Sequence, residues 1–357
     1  MLRHLRVLDL TSELGAFAGR MLAELGAEVI KVEAPDGDPQ RRDTATFATW
    51  NHGKRSVVAE PGTAAFEQLL TGADILLRNP GLDHKQLAAH NPRLIDVVIA
   101  PFLPGSPNDA RQVSDLSLMA RSGLMSVCGD PDRPPLTMPG AQAYALAAIQ
   151  AVTGALTALH ARATTGRGQL VEVSALQAAV LANYRDPLTW EWTGRIGRRT
   201  GNLLIRGKSG VRQIWPCADG FVTWALVDNP PMMRSMARVM GEQAGPLASI
   251  AWDDILVADL PRETLAEWEE QIAAFFLQHT RAQLRELSLA NGLGLSWIDA
   301  PEDVLQSPQW QARKLWVDID DRRLPGPLWV STVQPASVRR MVPALGEANA
   351  ELLGGGQ

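Results

Sequence analysis

The first half of the chain alternates short apolar runs with segments in which apolar residues recur at helical spacing. Apolar runs are typical of strands buried in a parallel sheet, and the spaced segments are typical of helices packed on it. The predicted strands are residues 6–10, 28–33, 73–77, 94–100 and 169–173. The predicted helices are residues 17–25, 63–70, 84–90, 142–160 and 175–183. This alternation predicts an α/β fold that binds ligands near the strand C-termini.

The chain beyond residue 184 follows a different pattern. Residues 185–210 are rich in Arg, Gly and Trp without a clear period, which is typical of a linker. Residues 212–225 predict a β-hairpin with its turn at 218–220, which opens a smaller α+β domain. The further predicted elements are helices 231–240, 262–278 and 281–290 and strands 316–319 and 328–332. The predicted division is a first large segment 1–190, a linker 191–210, a small domain 211–300 and a return segment 301–357.

Composition and charge argue against several classes of function. The 357 residues carry a net charge of −5, so no basic surface for nucleic acid is expected. The N-terminal apolar run is too short for a signal peptide, and we expect no window with the roughly 20 apolar residues of a membrane span. Two cysteines argue against a disulfide framework, and no Cys pair at zinc spacing indicates a metal site. A cytoplasmic protein without metal is predicted.

The turn after the first predicted strand, Asp9 to Gly19, lacks the three-glycine fingerprint of dinucleotide-binding proteins. Gly15 and Gly19 still allow a close approach of the backbone, and the following helix N-terminus favours a phosphate group. Packing of the helix against the strand explains the same residues. Taken alone, the turn favours packing over nucleotide binding.

Nine short segments carry a family resemblance through their order and spacing. They are residues 5–10, 22–38, 51–57, 91–94, 122–125, 130–135, 165–169, 215–220 and 345–347. Among them are the turn Asn51-His-Gly-Lys-Arg-Ser-Val57 and the turn Thr165-Gly-Arg-Gly-Gln169. Together they resemble the family III CoA-transferases of the CaiB/BaiF type, a family that also includes acyl-CoA racemases and carnitine-type CoA-transferases.

This resemblance implies a Rossmann-like large domain formed by both chain ends, a smaller α+β domain between them, and a dimer of interlocked subunits. It also implies that coenzyme A or an acyl-CoA binds in a cleft and that a carboxylic acid is the second substrate. In the transferases of this family an aspartate attacks the thioester, which gives a mixed anhydride and then an enzyme-bound CoA thioester. A carboxylate suits such a reversible acyl link.

The aspartate that the resemblance implies is absent here. Alignment from Arg162 and Gly166 places Tyr144 at its position, and alignment from Gly140 places Ala145 there. A tyrosine hydroxyl, with a usual pKa of about 10, is a poor substitute nucleophile.

Three further positions bear on the chemistry. The residue at the racemase histidine position is Ser114, so the resemblance does not support a racemase mechanism either. Asp115 matches a common family acid, and a structural role is expected for it. Glu172 replaces an acid normally found in its strand, and a structural role is expected there too.

The resemblance also implies contacts to coenzyme A. Leu14 and Gly15 stand where the first loop meets the nucleotide, and Asn79 matches a CoA-contacting residue. The segment after Asn79 is shortened to Pro80-Gly-Leu-Asp83, which removes an arginine that the family often offers to the CoA phosphates. Arg41, Arg42 and Arg111 are the alternative sources of positive charge for those phosphates.

Three hypotheses remain open at this point. The first is a CoA-transferase that acts as a homodimer. The second is an inactive family member that binds acyl-CoA or forms a heteromer with an active paralogue. The third is different chemistry on the same scaffold through Tyr144, Asp115 or Glu172.

Overall fold

The chain forms two units, each with its own core. The structure is a computed structural model that describes residues 1–108, 111, 113–319, 322–332, 336–338 and 340–354. The large unit comprises Met1–Ser126, Thr137–Gly197 and Gln306–Gln357, and the small unit comprises Val127–Leu136 and Arg198–Leu305.

The large unit holds most of the regular structure. Its first strands are β1 (Arg6–Asp9), β2 (Glu28–Glu33), β3 (Arg55–Val58), β4 (Ile75–Arg78), β5 (Ile95–Ala100) and β6 (Gln169–Ser174). Its first helices are α1 (Ala16–Glu24), α2 (Thr44–Asn51), α3 (Ala64–Thr71), α4 (His84–His90), α5 (Asp115–Arg121), α6 (Gln142–Thr165), α7 (Ala175–Leu181) and α8 (Arg185–Thr193).

The small unit and the return segment complete the list. The small unit contains β7 (Leu203–Arg206), β8 (Ser209–Arg212), β9 (Ile214–Cys217), β10 (Gly220–Thr223), α9 (Pro230–Met240), α10 (Arg262–Leu277), α11 (Arg281–Asn291) and β11 (Ser296–Trp297). Helix α12 (Pro301–Gln306) spans the division, and α13 (Pro308–Ala312), β12 (Trp316–Ile319), β13 (Arg322–Pro325) and α14 (Asn349–Leu352) follow.

Strands β1 to β6 form one parallel sheet in the order β3-β2-β1-β4-β5-β6. The order reverses between β1 and β4, as in doubly wound nucleotide-binding folds, and ligands of such sheets bind outside the strand C-termini at that reversal. The predicted α/β class with a parallel sheet is confirmed. Strand β3 was not predicted, because its short run was read as part of the turn at 51–57.

Successive side chains of the sheet point to opposite faces, and both faces are covered. Val7, Ile75 and Leu77 belong to the core cluster that contains the residues of α1, α6 and α7. Leu8 and Leu76 lie in a second cluster with the apolar residues of α3 and α4. Burial on both faces explains why these strands read as continuous apolar runs in the sequence.

Helix α6 packs on β5 and β6 through a row of small residues. Ala147, Ala151 and Ala155 are fully buried, because their four-residue spacing puts them on one helix face. The helix has 24 residues and is apolar enough to meet the length and composition criteria for a membrane span, so the expectation that no window would qualify was wrong. Its buried alanine face is the signature of a core helix.

A network of buried charges lies behind the loop that follows β1. The Lys54 ammonium donates to Asp9 Oδ2, Ala16 O and Asn51 Oδ1, each at 2.7 Å. Burial lowers the pKa of Lys54 to about 8 in spite of the Asp9 charge, so the ammonium still carries its proton at pH 7. A Cβ on Gly19 would lie 2.2 Å from Asp9 Oδ2, so the close approach that Gly19 permits is to this ion pair.

A second buried pair fixes the other side of the same loop. The Lys31 ammonium lies 2.5 Å from Asp38 Oδ2 and donates to Thr11 O at 2.9 Å. Asp38 also accepts from Ser12 Oγ at 2.8 Å. Together, the two lysines and their carboxylates hold the first loop through bonds that water cannot replace.

We expect Asp9→Asn to destabilise the large unit by about 3 kcal/mol or more, because it leaves the Lys54 ammonium buried without a countercharge. The free energy of unfolding from urea denaturation measures this loss. Asp318→Asn is the matched control, since it breaks an ion pair with Arg323 that solvent screens. Equal losses in the two variants would contradict the importance of the buried pair.

His52, the residue that follows α2, is a buried base to whose ring no described residue makes a hydrogen bond. Its exposed fraction is 0%, and neither ring nitrogen is paired among the described residues. Burial lowers the pKa of His52 to about 3, and the charges of Arg20 and Lys54 lower it further in the same direction. The ring is therefore neutral in the folded protein near neutral pH.

Stability should consequently fall as the pH drops from 6.5 toward 3. Over that range the unfolded chain protonates His52 and the folded chain does not, which costs at most about 1.4 kcal/mol per pH unit. We expect His52→Leu to flatten the dependence of the free energy of unfolding on pH. His4→Leu, at an exposed histidine, should keep the wild-type slope. Identical slopes in all three proteins would rule out the contribution of His52.

The small unit is built around a tryptophan pair. Strands β9, β10 and β11 form an antiparallel sheet, and β9 and β10 are the predicted hairpin. Trp215 is fully buried and its Nε1 donates to Trp224 O at 2.6 Å, while Trp224 Nε1 donates to Leu293 O at 2.9 Å. The Phe276 ring packs edge-on against both indoles. Each buried indole therefore satisfies its only donor.

The structure departs from the predicted organisation in three places. Residues 191–210, predicted as a linker, contain the end of α8 and the strand β7, which pairs with β8. Residues 328–332 are not a strand, because β12 pairs instead with β13. Residues 127–136 belong to the small unit, which the sequence pattern did not indicate. Each difference involves a pairing between segments that local periodicity does not reveal.

Candidate active site at the reversal of the sheet

The loops after β1 and β4 meet at the reversal of strand order. Asn79 directly follows β4, and its Nδ2 donates to Leu14 O at 3.0 Å and to Ile99 O at 2.9 Å. Both amide hydrogens are thus used to tie the first loop to the end of β5. The structure thus gives Asn79 a role in holding the first loop.

Leu14 and Gly15 lie in that loop in different roles. The Leu14 side chain packs in the core, so the loop offers its backbone at this residue. Gly15 has φ +110°, and a Cβ there would lie 2.8 Å from Thr11 Cγ2, so only glycine fits this turn into α1. Glu13 is the exposed residue of the loop, and it lines a cleft.

The cleft has a volume of about 1240 Å³ and lies within the large unit. Four segments line it, namely Glu13 from the first loop and residues from the stretches 39–50, 113–116 and 137–144. Its apolar part includes Trp50, Leu116 and Met138. A cleft of this size at the sheet reversal can hold a large nucleotide-bearing ligand.

Tyr144 lies in the first turn of α6 at one wall of the cleft. Its hydroxyl donates to Val113 O at 3.3 Å. Burial raises the pKa of Tyr144, and the nearby charges of Glu13 and Asp115 raise it further. The phenol is therefore protonated and internally bonded, which makes it a weak nucleophile. The neighbouring Ala145 carries only a methyl group.

Asp115 lies next to Tyr144 in the lining of the cleft. It opens α5, and its Oδ1 accepts a hydrogen bond from Tyr144 N at 3.0 Å. Helix α6 has no side-chain cap at its N-cap residue Ala141, so Asp115 bonds to an amide in its first turn from outside. The preceding Ser114 caps α5 by accepting from Ser117 N at 3.3 Å. Asp115 thus has a structural bond and still borders the cleft.

The three candidate arginines are placed differently. The guanidinium of Arg41 donates to both oxygens of Glu33, at 2.6 and 2.7 Å, and stacks on the Phe47 ring. Arg42 is exposed and lines the cleft. Arg111 is exposed as well, and it is not among the cleft-lining residues. The structure thus places Arg42, rather than Arg41 or Arg111, at the cleft.

Other reactive residues lie away from the cleft or form no site. Glu172 is exposed on the edge strand β6 and does not line the cleft. Within the described part of the chain, no group of three His, Cys, Asp or Glu side chains could hold a metal ion. Among the described residues, the titratable groups that line the cleft are three carboxylates, one arginine and one tyrosine.

Comparison with known proteins agrees with this architecture. The model of CoA-transferase family III matches residues 2–349. The chain belongs to this family. A subunit (BbsE) of the succinyl-CoA:(R)-benzylsuccinate CoA-transferase of Thauera aromatica is 31% identical over 87% of this chain and 82% of its own length. The succinyl-CoA–D-citramalate CoA-transferase of Chloroflexus aurantiacus is 32% identical over 97% of this chain and 92% of its own length.

A solved structure of the same family shares the fold. The CAIB/BAIF family protein from Brucella suis superposes with a TM-score of 0.85 at 25% identity and covers 98% of this chain and 97% of its own. The family recognised from motif order is thus confirmed at the level of sequence and fold.

Glu13 and Trp50 are among the cleft residues that sequence reasoning missed. Glu13 directly precedes the loop residues that were singled out, and a polar side chain after a buried strand was the available signal. Trp50 lies on α2, a helix that was not predicted because its apolar pattern is weak. No pattern in the sequence predicts that Trp50 lines the same cleft as Glu13.

The state of Tyr144 can be measured directly, because the chain has only two tyrosines, Tyr144 and Tyr184. In a Tyr184→Phe variant we expect the remaining phenol to titrate above the usual value of 10, since burial raises the pKa of Tyr144. Ultraviolet absorbance against pH reports tyrosinate, and circular dichroism verifies that the protein stays folded. A midpoint below 10 would instead favour Tyr144 as an activated nucleophile.

Proposed function

We propose that this protein transfers CoA between an acyl-CoA and a carboxylic acid, with the substrates bound in the cleft of the large unit. The observation that carries this proposal is a cleft at the sheet reversal, bordered by carboxylates, in a chain that the family model covers almost from end to end. Two relatives are named for transfer from succinyl-CoA to benzylsuccinate and to citramalate. Both acceptors are dicarboxylates, which makes this class the first to test.

The cleft offers what such a reaction needs. An acyl group moves between a thiolate and carboxylates, so a carboxylate on the protein can take it up and release it reversibly. Glu13, Asp43 and Asp115 border the cleft, and Arg42 supplies positive charge for a phosphate or a substrate carboxylate. Trp50 and Met138 provide an apolar surface for the acyl chain.

The direct experiment mixes the purified protein with succinyl-CoA and either D-citramalate or (R)-benzylsuccinate. We expect a new CoA thioester of the acid, detected by liquid chromatography and mass spectrometry, at a turnover on the order of 1 per second or faster. Free CoA with the same acid is the control and should give no thioester. Failure to form any thioester, although the protein binds CoA in calorimetry, would contradict the proposal.

A second candidate function is a non-catalytic subunit of a heteromeric CoA-transferase. It rests on the unreactive phenol at residue 144, whereas the relatives are named CoA-transferases and do not favour it. Activity that appears only after adding an aspartate-bearing paralogue would support this candidate and exclude the homomeric enzyme.

We further infer a cytoplasmic homodimer. The five exposed side chains Tyr184, Leu188, Trp190, Trp192 and Ile196 form an apolar stretch on and around α8. Large exposed aromatic residues in such numbers are typical of a subunit interface. The interlocked arrangement that the family resemblance implies would cover them. Sedimentation analysis distinguishes a dimer from a monomer.

A further inference from the structure

The residue that would take up the acyl group can be sought among the carboxylates of the cleft. Within the described part of the chain these are Glu13, Asp43 and Asp115. Both oxygens of Asp43 are engaged with Thr46, at 3.1 Å to its amide and 2.6 Å to its hydroxyl, where they cap α2. Asp43 is therefore committed to the helix end.

Glu13 and Asp115 differ in how firmly they are held. Glu13 is exposed, and no described residue donates a hydrogen bond to its carboxylate. Asp115 is partly buried, and the Tyr144 amide holds its Oδ1. No described residue donates to its Oδ2, which leaves one oxygen for reaction. A held carboxylate with one unengaged oxygen is better suited to attack than a mobile one.

The place of the Asp115 carboxylate is also informative. Its Oδ1 lies 3.0 Å from the nitrogen of residue 144. If residue 144 were an aspartate, its carboxylate would lie within about 4 Å of the same nitrogen, because only three bonds separate that nitrogen from the Cγ carbon. Asp115 therefore brings a carboxylate to the backbone of the residue at which the family resemblance implies the nucleophile.

Two helix N-termini surround this carboxylate. Asp115 is the first residue of α5, and it bonds to the first turn of α6. Both helices present the positive ends of their dipoles at this position. The same ends favour the negative charge that develops when a thioester carbonyl is attacked.

We propose that Asp115 is the catalytic carboxylate of this protein, which replaces the nucleophile missing at residue 144. The proposal rests on the proposed CoA transfer. An Asp115 oxygen attacks the acyl-CoA carbonyl, the C–S bond breaks, and CoA leaves as a thiolate, which leaves a mixed anhydride. The thiolate then attacks the Asp115 carboxyl carbon and releases the first acid, so that CoA is linked to Asp115 as a thioester.

In the second half of the transfer cycle, the incoming acid passes through the same two steps in reverse order. Its carboxylate attacks the Asp115 thioester carbonyl, forms a new mixed anhydride and expels the CoA thiolate. The thiolate attacks the incoming acyl carbon, which yields the new acyl-CoA and restores the Asp115 carboxylate. No proton or electron is gained or lost over the cycle.

Trapping of the intermediate tests the assignment without reliance on turnover. Hydroxylamine added to protein and succinyl-CoA should convert the Asp115 thioester to a hydroxamate. Trypsin should release residues 112–121, in which Asp115 is the only acidic side chain, so a hydroxamate mapped to this peptide by mass spectrometry identifies the residue. Glu13 falls in the peptide 7–20 and Asp43 in the peptide 43–54, so the three candidates are resolved.

Two variants sharpen the result. Asp115→Asn keeps an oxygen that can accept from the Tyr144 amide, and we expect it to lose the hydroxamate and at least about a thousandfold in kcat while it still binds CoA. Adding Tyr144→Asp to that variant returns a carboxylate to the neighbouring position, and we expect labelling to reappear on the peptide that contains residue 144. Glu13→Gln should keep the label on peptide 112–121.

The outcomes separate the two proposals. Label on peptide 7–20 or 43–54, or full turnover by Asp115→Asn, overturns the role of Asp115 and leaves CoA transfer standing. Label on 112–121 without transfer to any acid supports Asp115 and overturns the transferase. Absence of both label and transfer in the wild-type protein overturns both.

Discussion

The buried ion pair between Asp9 and Lys54 is the interaction on which the rest of the large unit depends. It joins the end of β1, the start of α1 and the end of α2 through one ammonium group with three acceptors. Because both charges are withdrawn from water, neither can lose its partner without a large cost. The loop that borders the cleft is therefore held by the core, and Gly19 is required because any side chain there would collide with Asp9.

This constraint extends to the cleft through a few polar bonds. Asn79 ties the first loop to the end of β5, across the point where strand order reverses. At the cleft itself, Asp115 joins the first turn of α5 to the first turn of α6. Two of the segments that line the cleft, the first loop and the start of α6, are thus held by hydrogen bonds from other parts of the large unit.

The bonds around residue 144 show which groups its side chain and its backbone contact. Tyr144 fills its position with a ring that packs in the core and a hydroxyl bonded to Val113. The backbone amide beneath it keeps the contact to Asp115. At the position where the family resemblance implies an aspartate, the Asp115 carboxylate therefore lies within a few ångströms of the backbone. The relatives named as CoA-transferases show that the surrounding fold serves this chemistry elsewhere.

The sequence by itself determined the α/β class, five of the six sheet strands, the long core helix and the family. Buried parallel strands appear as short apolar runs, and the family motifs are short segments in a fixed order, so both can be recognised without the tertiary structure. The family resemblance singled out Tyr144 or Ala145, and Asp115, as candidate site positions. The sequence could not show that Arg41 pairs with Glu33 while Arg42 lines the cleft, because nothing in the sequence distinguishes the two adjacent arginines. Only the tertiary structure placed the Asp115 carboxylate against the Tyr144 amide, because these residues are 29 positions apart and meet only when α5 and α6 pack.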